Sequence, residues 1–341
     1  MVTLKDIARV SGLNAGSVSH ILNNSPRALE LKAETRSRVL SVARELGYRR
    51  NEYAHGMRSG ASQTIALLCD FPSSASQNTG IYVNRMMNGV LREATTDNYS
   101  VKLYDTHDFD SAVGGMEGYR IKHAVILGGD SSFRSRLAAW ASKKKVRLVY
   151  VTGERAGNFL CVNSSDREGV RTAVKHLLEL GHKRIGLINT ALSFYFARER
   201  QAGYQKALEE GGLAFDPSLV SNTMTDQEQE KDLERLLTLP KERRPTAFMS
   251  LGDYATMLLQ RQLLLQGLRF PEDISIISFG DDTFTKYAFR PLSYVSQPFE
   301  EMGSMAVRLS LGLVDAQATT NGQVELPTKL ELGESIGPCP S

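Results

Sequence analysis

From Gln63 onward, short apolar runs alternate with helical patterns, and that alternation restricts the fold of this 341-residue chain more than any other feature. TIALLCD (64–70), VKLYD from 101, HAVILGG from 123 and VRLVYVTG from 146 read as buried strands, with helical stretches such as MMNGVLREA (86–94) between them. After Leu160–Val162 a second set begins: helix 167–180, strand RIGLI (184–188), helix 199–210, strand TAFMS (246–250), helix 253–266 and strand ISIISF (274–279). Such repetition implies parallel sheets covered by crossover helices. The break near 162 predicts two similar α/β subdomains. The natural ligand site is then the cleft between them, at the C-terminal ends of the strands.

The chain before Gln63 is of another kind. In TLKDIARVSGLNAGSVSHILN (3–23), Leu4, Ile7 and Ala8 repeat at helical spacing. Thr3 is placed to cap that helix, with Asp6 three residues on as an imperfect capping box. Gly12 permits a tight turn, and Asn14 can cap a second helix buried through Val18, Ile21 and Leu22. Val39, Leu40, Ala43 and Leu46 supply a third helix to close the core. Small, turn and apolar residues at Ala8, Gly12 and Val18 mark a helix-turn-helix. The outer face of its second helix carries Ala15, Gly16, Ser17, Ser19, His20 and Asn23, none acidic and all small or hydrogen-bonding, which suits the major groove of DNA. A solvated helical hairpin is the alternative reading of the same residues.

Charge separates these readings. Residues 1–60 hold 10 Lys+Arg against 5 Asp+Glu, while the rest of the chain holds 31 against 33. Positive charge concentrated on a small N-terminal module is the electrostatic footprint of nucleic-acid binding, which the overall net charge of +3 hides. Lys5, Asp6 and Arg9 interrupt any signal-peptide core, and no segment has the long apolar run of a membrane helix, so a cytoplasmic protein is expected. Cys69, Cys161 and Cys339 are scattered without metal spacing, as in a reducing compartment. There is no GxGxxG after the first strand, no Walker A, no GxSxG and no HExxH. His176 and His182 are not spaced for zinc, and His182 reads as a helix C-cap. No catalytic constellation, metal or cofactor is expected.

TLKDIARVSG, SVSHILN and ETRSRVLSVARELGY resemble the headpiece of the lactose/galactose-repressor family of bacterial transcription regulators. The likeness continues in order through HLLELGHKRIGLI (176–188), RERQAGYQKAL (198–208), PTAFMSLGDYA (245–255), LRFPEDISIISFGDD (268–282), RPLSYVSQPFEEMGSMAV (290–307) and LPTKLELGES (326–335). The resemblance implies a sequence-specific regulator, a repressor in its commonest form, with a periplasmic-binding-protein-like body switched by a small molecule such as a sugar or sugar derivative. It also implies a homodimer on a palindromic operator, because one recognition helix covers one half-site. No heptad-rich tail follows residue 335, which favours a dimer over a tetramer. The rival reading is a solute-binding or sensor protein without an operator.

The resemblance also assigns residues. Thr3, Asn14, Ala15, Gly16, Ser17, Ser19, His20, Asn23, Arg27 and Tyr48 fall on the DNA side of the headpiece. RRNEYAHGMRSG (49–60) matches the hinge helix that enters the minor groove, with Met57 as the apolar wedge and Gly56 weakening the free helix. The connection 23–36 is about three residues longer than the family's, and Lys32 stands where a Ser often caps the third helix. Arg200 takes the effector-anchoring position, and Asp70, Tyr82, Gly128, Thr152, Gly252, Gly280 and Gln297 match other cleft positions. Asp253 and Asp281 follow two glycines that replace polar residues, and either substitute for them or cap loops. The glycines would leave space for a bulkier ligand. The expected domains are the headpiece at 1–49, hinge and linker at 50–62, an N-terminal subdomain of 63–161 plus 293–320, and a C-terminal subdomain of 162–292 plus 321–341. SYVSQP (293–298) and the tail from about 320 are expected to cross between the subdomains.

Overall fold

A computed structural model describes residues 2–22, 25–48, 62–70, 80–154, 159–223, 225–280, 285, 288–314 and 322–340. Asn23, Gly56, Met57 and Asp281, and with them the expected hinge helix, lie outside the described residues. Two compact units make up the chain, Met1–Ser62 and Gln63–Ser341.

The first unit holds α1 (Leu4–Ser11), α2 (Ala15–Leu22), α3 (Pro26–Leu29) and α4 (Ala33–Glu45). Thr3 starts α1 through a complete capping box: its hydroxyl accepts from the Asp6 N–H at 3.4 Å, and the Asp6 carboxylate accepts from the Thr3 N–H at 2.9 Å. Gly12 ends the helix at φ 70°, a left-handed position that suits glycine. Asn14 starts α2, its Oδ1 accepting from the Ser17 N–H at 2.7 Å. Ile7, Val18, Ile21, Val39, Val42 and Ala43 form the buried core. Leu40, expected in that core, is exposed: the inward face of α4 is Val39, Val42, Ala43 and Leu46, and Leu40 lies about 100° off it. The long connection contains α3. Lys32 at the start of α4 makes no side-chain cap bond, and the Arg36 guanidinium donates instead to the carbonyls of Ala28 and Leu31 at 3.3 and 2.9 Å.

The second unit begins with β1 (Thr64–Cys69), α5 (Gly80–Thr96), β2 (Ser100–Asp105), α6 (Phe109–Gly118), β3 (His123–Ile126), α7 (Ser131–Lys144), β4 (Arg147–Val151) and β5 (Leu160–Ser164). There follow α8 (Asp166–Glu179), β6 (Ile185–Thr190), α9 (Tyr195–Glu210), β7 (Val220–Thr223), α10 (Asp226–Leu237), β8 (Ala247–Ser250), α11 (Asp253–Leu265) and β9 (Ser275–Gly280). The chain closes with β10 (Ser293–Ser296), α12 (Phe299–Leu311), β11 (Gln323–Leu326) and β12 (Lys329–Glu331). One six-stranded sheet runs β11-β5-β4-β3-β1-β2 and is parallel throughout; the other runs β12-β10-β9-β8-β6-β7, parallel except for β12.

These pairings shift the subdomain limits expected from sequence. Ser293–Ser296, assigned there to the N-terminal subdomain, pairs with β9 in the second sheet. Gln323–Leu326, assigned to the C-terminal subdomain, pairs with β5 in the first, and Cys161–Ser164 stay in that sheet as well. The chain therefore crosses between the sheets near 165, 297 and 327. Each sheet packs an apolar cluster on both faces. On the first, α5 and α12 approach backbone to backbone: a Cβ on Gly89 would stand 1.9 Å from the Glu300 carbonyl oxygen, and one on Gly303 2.0 Å from that of Met86.

His182 departs from its expected role in one respect. Its N–H does close α8, donating to the Leu177 carbonyl at 3.1 Å beyond a left-handed Gly181. Its side chain, however, is fully buried between Thr246 Oγ1 and the Gly337 carbonyl, each 3.0 Å away, and burial pushes the imidazole below its ordinary range. It pins the C-terminal segment to the second sheet.

Candidate functional site

On the headpiece, α2 brings Gly16, Ser17, Ser19 and His20 together. Thr3 and Asn14 spend their side chains on helix capping. Ala15, expected on the outer face, is half-buried at the edge of the core as the first residue of α2. Tyr48 also packs against that core. Arg27 is exposed on α3. The His20 ring is half-buried, with Nδ1 2.9 Å from the Ser25 hydroxyl.

In the body, both sheets are doubly wound, with β1 between β3 and β2 and β6 between β8 and β7. Strand ends at such reversals leave a crevice. Asp70, just after β1, accepts from the Gly129 N–H at 2.9 Å and from the Thr106 hydroxyl. Gly128 is held flat against that carboxylate, 2.6 Å from where a Cβ would sit. Thr152 follows β4 at φ 58°, a left-handed conformation that a β-branched residue rarely adopts. Buried Asn163 fixes the two peptide groups that flank the Gly153 Cα, accepting from the Gly153 N–H at 2.8 Å and donating to the Gly153 carbonyl at 3.0 Å. Arg134 joins the β3 and β4 loops: its Nε donates to the Gly128 carbonyl at 3.0 Å, and Gly153 admits its Nη1 where a Cβ would clash.

Arg200, expected to anchor the effector, makes three hydrogen bonds within the protein. Its Nε donates to Asp166 at 2.9 Å, Nη1 to the Leu251 carbonyl at 3.3 Å and Nη2 to Gln297 Oε1 at 3.2 Å. The guanidinium lies 4.2 Å from the ring centroid of Phe279 and 5.0 Å from that of Phe196. Asp166 is as buried as Arg200, and desolvation pushes its carboxyl up while the Arg200 charge pulls it down. Ser164 donates to Asp166 at 2.5 Å, and Gln297 Nε2 donates to Ser164 at 2.8 Å. Because Ser164, Asp166 and Gln297 flank two of the three crossings, this network lies at the hinge between the sheets. Sequence reasoning missed Ser164, Asp166, Asn163 and Arg134. An acidic residue opening a helix directly after a buried strand was the available signal for Asp166.

Asp253 lies on a helix rather than in a loop. It opens α11 with its carboxylate buried, 2.6 Å from where a Cβ on Gly280 would sit, so it fills the space that glycine leaves. A Cβ on Gly252 would meet nothing within 4 Å, so open space remains there. Tyr82, on α5 of the first subdomain, donates to Asp253 Oδ2 at 2.9 Å and accepts from the Asp253 N–H at 3.2 Å. Burial and the Asp253 charge raise the Tyr82 phenol well above its ordinary range. At the other side, Gln323 on β11 donates to Tyr195 on α9 at 3.1 Å, and Arg198 pairs with Glu154. Among the described residues, no cluster of His, Cys, Asp or Glu could hold a metal, and no helix is long and apolar enough to cross a membrane.

A basic helix-turn-helix unit on a doubly wound two-sheet body defines a DNA-binding regulator. Residues 3–51 match the model of bacterial regulatory proteins of the lacI family, and residues 174–336 match that of the periplasmic binding protein-like domain. The chain thus joins a lacI-family helix-turn-helix domain to a periplasmic-binding-protein-like domain, the make-up of a transcriptional regulator. It is 27% identical to the probable HTH-type transcriptional repressor ExuR of Bacillus subtilis, with 98% of each chain covered. Its fold is similar to that of the lac repressor dimer bound to operator and the anti-inducer ONPF (TM-score 0.78, 22% identity, 98% of this chain and 99% of that one). It is similar also to that of the regulator CelR in its cellobiose complex (TM-score 0.69, 24% identity, 98% and 100%).

Proposed function

We propose that this regulator is a cytoplasmic homodimeric repressor of a palindromic operator, controlled by a sugar or sugar derivative bound between its two α/β subdomains. The observation that carries the ligand reading is the Tyr82–Asp253 pair, a hydroxyl and a carboxylate joined across the cleft beside the open space at Gly252. A carboxylate next to a phenol accepts hydrogen bonds from a neutral polyol and repels an anion. Asp70, Thr152, Gly128 and Gln297 border the same cleft, and masking of Arg200 by Asp166 makes the arginine an organiser of the hinge rather than a free grip. The cellobiose complex of the similarly folded CelR supports a sugar. Exposed Met257 and Leu264, seven residues apart on α11, with exposed Leu265 and Phe289, support pairing with a second copy, as does the dimeric lac repressor. His20 would read a base edge, Ala15 would contact a thymine methyl or allow close approach, Arg27 would reach a base or a phosphate, and Met57 would enter the minor groove.

A thermal-shift screen against neutral sugars, sugar phosphates and nucleobases tests the ligand class, because a ligand that binds the native state raises its melting temperature. A neutral sugar should give the largest shift and should change the mobility of the protein on selected genomic DNA. A response to phosphorylated compounds alone would overturn the assignment.

A further inference from the structure

His20 does not stand alone on the recognition helix. Ser25 is bound to it twice: the Ser25 N–H donates to the His20 carbonyl at 3.1 Å, and the Ser25 hydroxyl lies 2.9 Å from His20 Nδ1. Ser25 also occupies the N-cap of α3, where a serine hydroxyl ordinarily accepts from the first turn of the helix. Here it makes no cap bond; the Ala28 N–H goes to the Ser25 carbonyl at 2.7 Å instead. The hydroxyl is thus released from its usual duty and aimed at the imidazole. His20 Nε2 has no partner among the described residues.

We infer that Ser25 is a positioning residue for base recognition: its hydroxyl fixes the rotation and tautomer of His20 so that Nε2–H is presented as a donor to guanine. The inference rests on the reading of His20 as a base-contacting residue. A serine hydroxyl that donates to Nδ1 leaves the ring proton on Nε2, and a protonated ring carries a proton there too. A donor in the major groove seeks acceptors, and guanine presents two, N7 and O6, where cytosine presents an amino donor. Anchoring Nδ1 also removes ring rotation that the complex would otherwise have to freeze.

Selection of tight-binding duplexes from a randomised library, using the full-length protein, tests this directly. The wild type should show a strong guanine preference at one position of each half-site. His20→Ala should flatten that position. Ser25→Ala should weaken preference at the same position by about 2- to 10-fold, the worth of one neutral hydrogen bond, and leave the other positions and non-specific binding unchanged. Ser25→Thr, which keeps the hydroxyl, should restore it. If His20→Ala leaves every position unchanged, the underlying reading of His20 fails. If His20→Ala flattens its position and Ser25→Ala does not, the positioning role is overturned. An equal loss at all positions, or a Ser25→Thr variant that behaves like Ser25→Ala, makes Ser25 a merely structural loop residue. A preference for an A·T or T·A pair at the His20 position overturns the assignment to guanine.

Discussion

Arg200 and Asp166 form a buried charge pair, and their cost and value are set by each other. Removing one partner of such a pair strands the other charge in a desolvated site at about 3–5 kcal/mol, whereas removing both is far cheaper. Arg200→Ala should therefore lower the stability of the body by about that amount, and Arg200→Ala with Asp166→Ala should recover much of the loss. Urea unfolding of the wild type and the two variants checks this; an unfolding midpoint left unchanged by Arg200→Ala would show the pair to be dispensable. The two cleft glycines make a sharper comparison. An alanine at Gly280 would press on the Asp253 carboxylate and force it away from Tyr82, while one at Gly252 meets open space on extended backbone. Gly280→Ala should weaken binding of whatever sugar the screen identifies by about tenfold, of the order of one lost hydrogen bond to a charged group, and Gly252→Ala should leave stability intact. Calorimetric titration measures the first and thermal melting the second. Neither partnership was readable in the sequence, because Arg200 and Asp166 are 34 residues apart and Tyr82 and Asp253 are 171 apart.

Elements whose information is local were legible. Thr3, Asp6, Gly12 and Asn14 act within one or two turns of chain, so α1, its turn and α2 follow from spacing alone. The alternation of apolar runs likewise placed β1, β6, β8 and β9 to within a residue or two. What failed was membership of a sheet. β10 and β11 are four residues each, and nothing within them states which sheet edge they will join. That choice is made by pairing with β9 and β5, and the crossings of the hinge follow from it. β7 carries only Val220–Thr223 at a sheet edge, too short and polar to stand out from loop. Capping gives the element-scale prediction. Lys32 begins α4 without a side-chain acceptor, so Lys32→Ser should stabilise the headpiece by about 1 kcal/mol, the usual worth of a hydroxyl cap. Thermal melting of the two proteins followed by helical circular dichroism measures it. No gain would mean that the three carbonyls gathered by Arg36 already hold the turn as firmly as a cap could.

At the scale of the body, three chain crossings allow the two sheets to move as rigid layers about the network of Ser164, Asp166, Arg200 and Gln297. Contacts across the cleft then set how often it is closed. Tyr82 to Asp253 is better shielded, because Asp253 is buried, Tyr82 is partly buried and the acceptor is charged. Arg198 to Glu154, by contrast, is an exposed ion pair of the kind that contributes little. Removing the phenol hydroxyl keeps the ring, and with it the packing on Phe299 at 5.1 Å. A hydrogen bond to a charged group is worth about 1.5–3 kcal/mol, so Tyr82→Phe should shift the open–closed equilibrium toward open by about tenfold or more. A ligand that binds the closed cleft then loses apparent affinity in proportion to the closed fraction, even though its own contacts are otherwise unchanged. Two measurements check the same quantity. Small-angle scattering should give a larger radius of gyration for unliganded Tyr82→Phe than for the wild type, and saturating ligand should bring the two together. Unchanged scattering with unchanged affinity would mean that the hinge network alone sets the closure. Because such a cleft transmits only the difference in affinity between its two states, Tyr82→Phe should also move the ligand concentration that switches DNA binding by the same factor as it moves affinity.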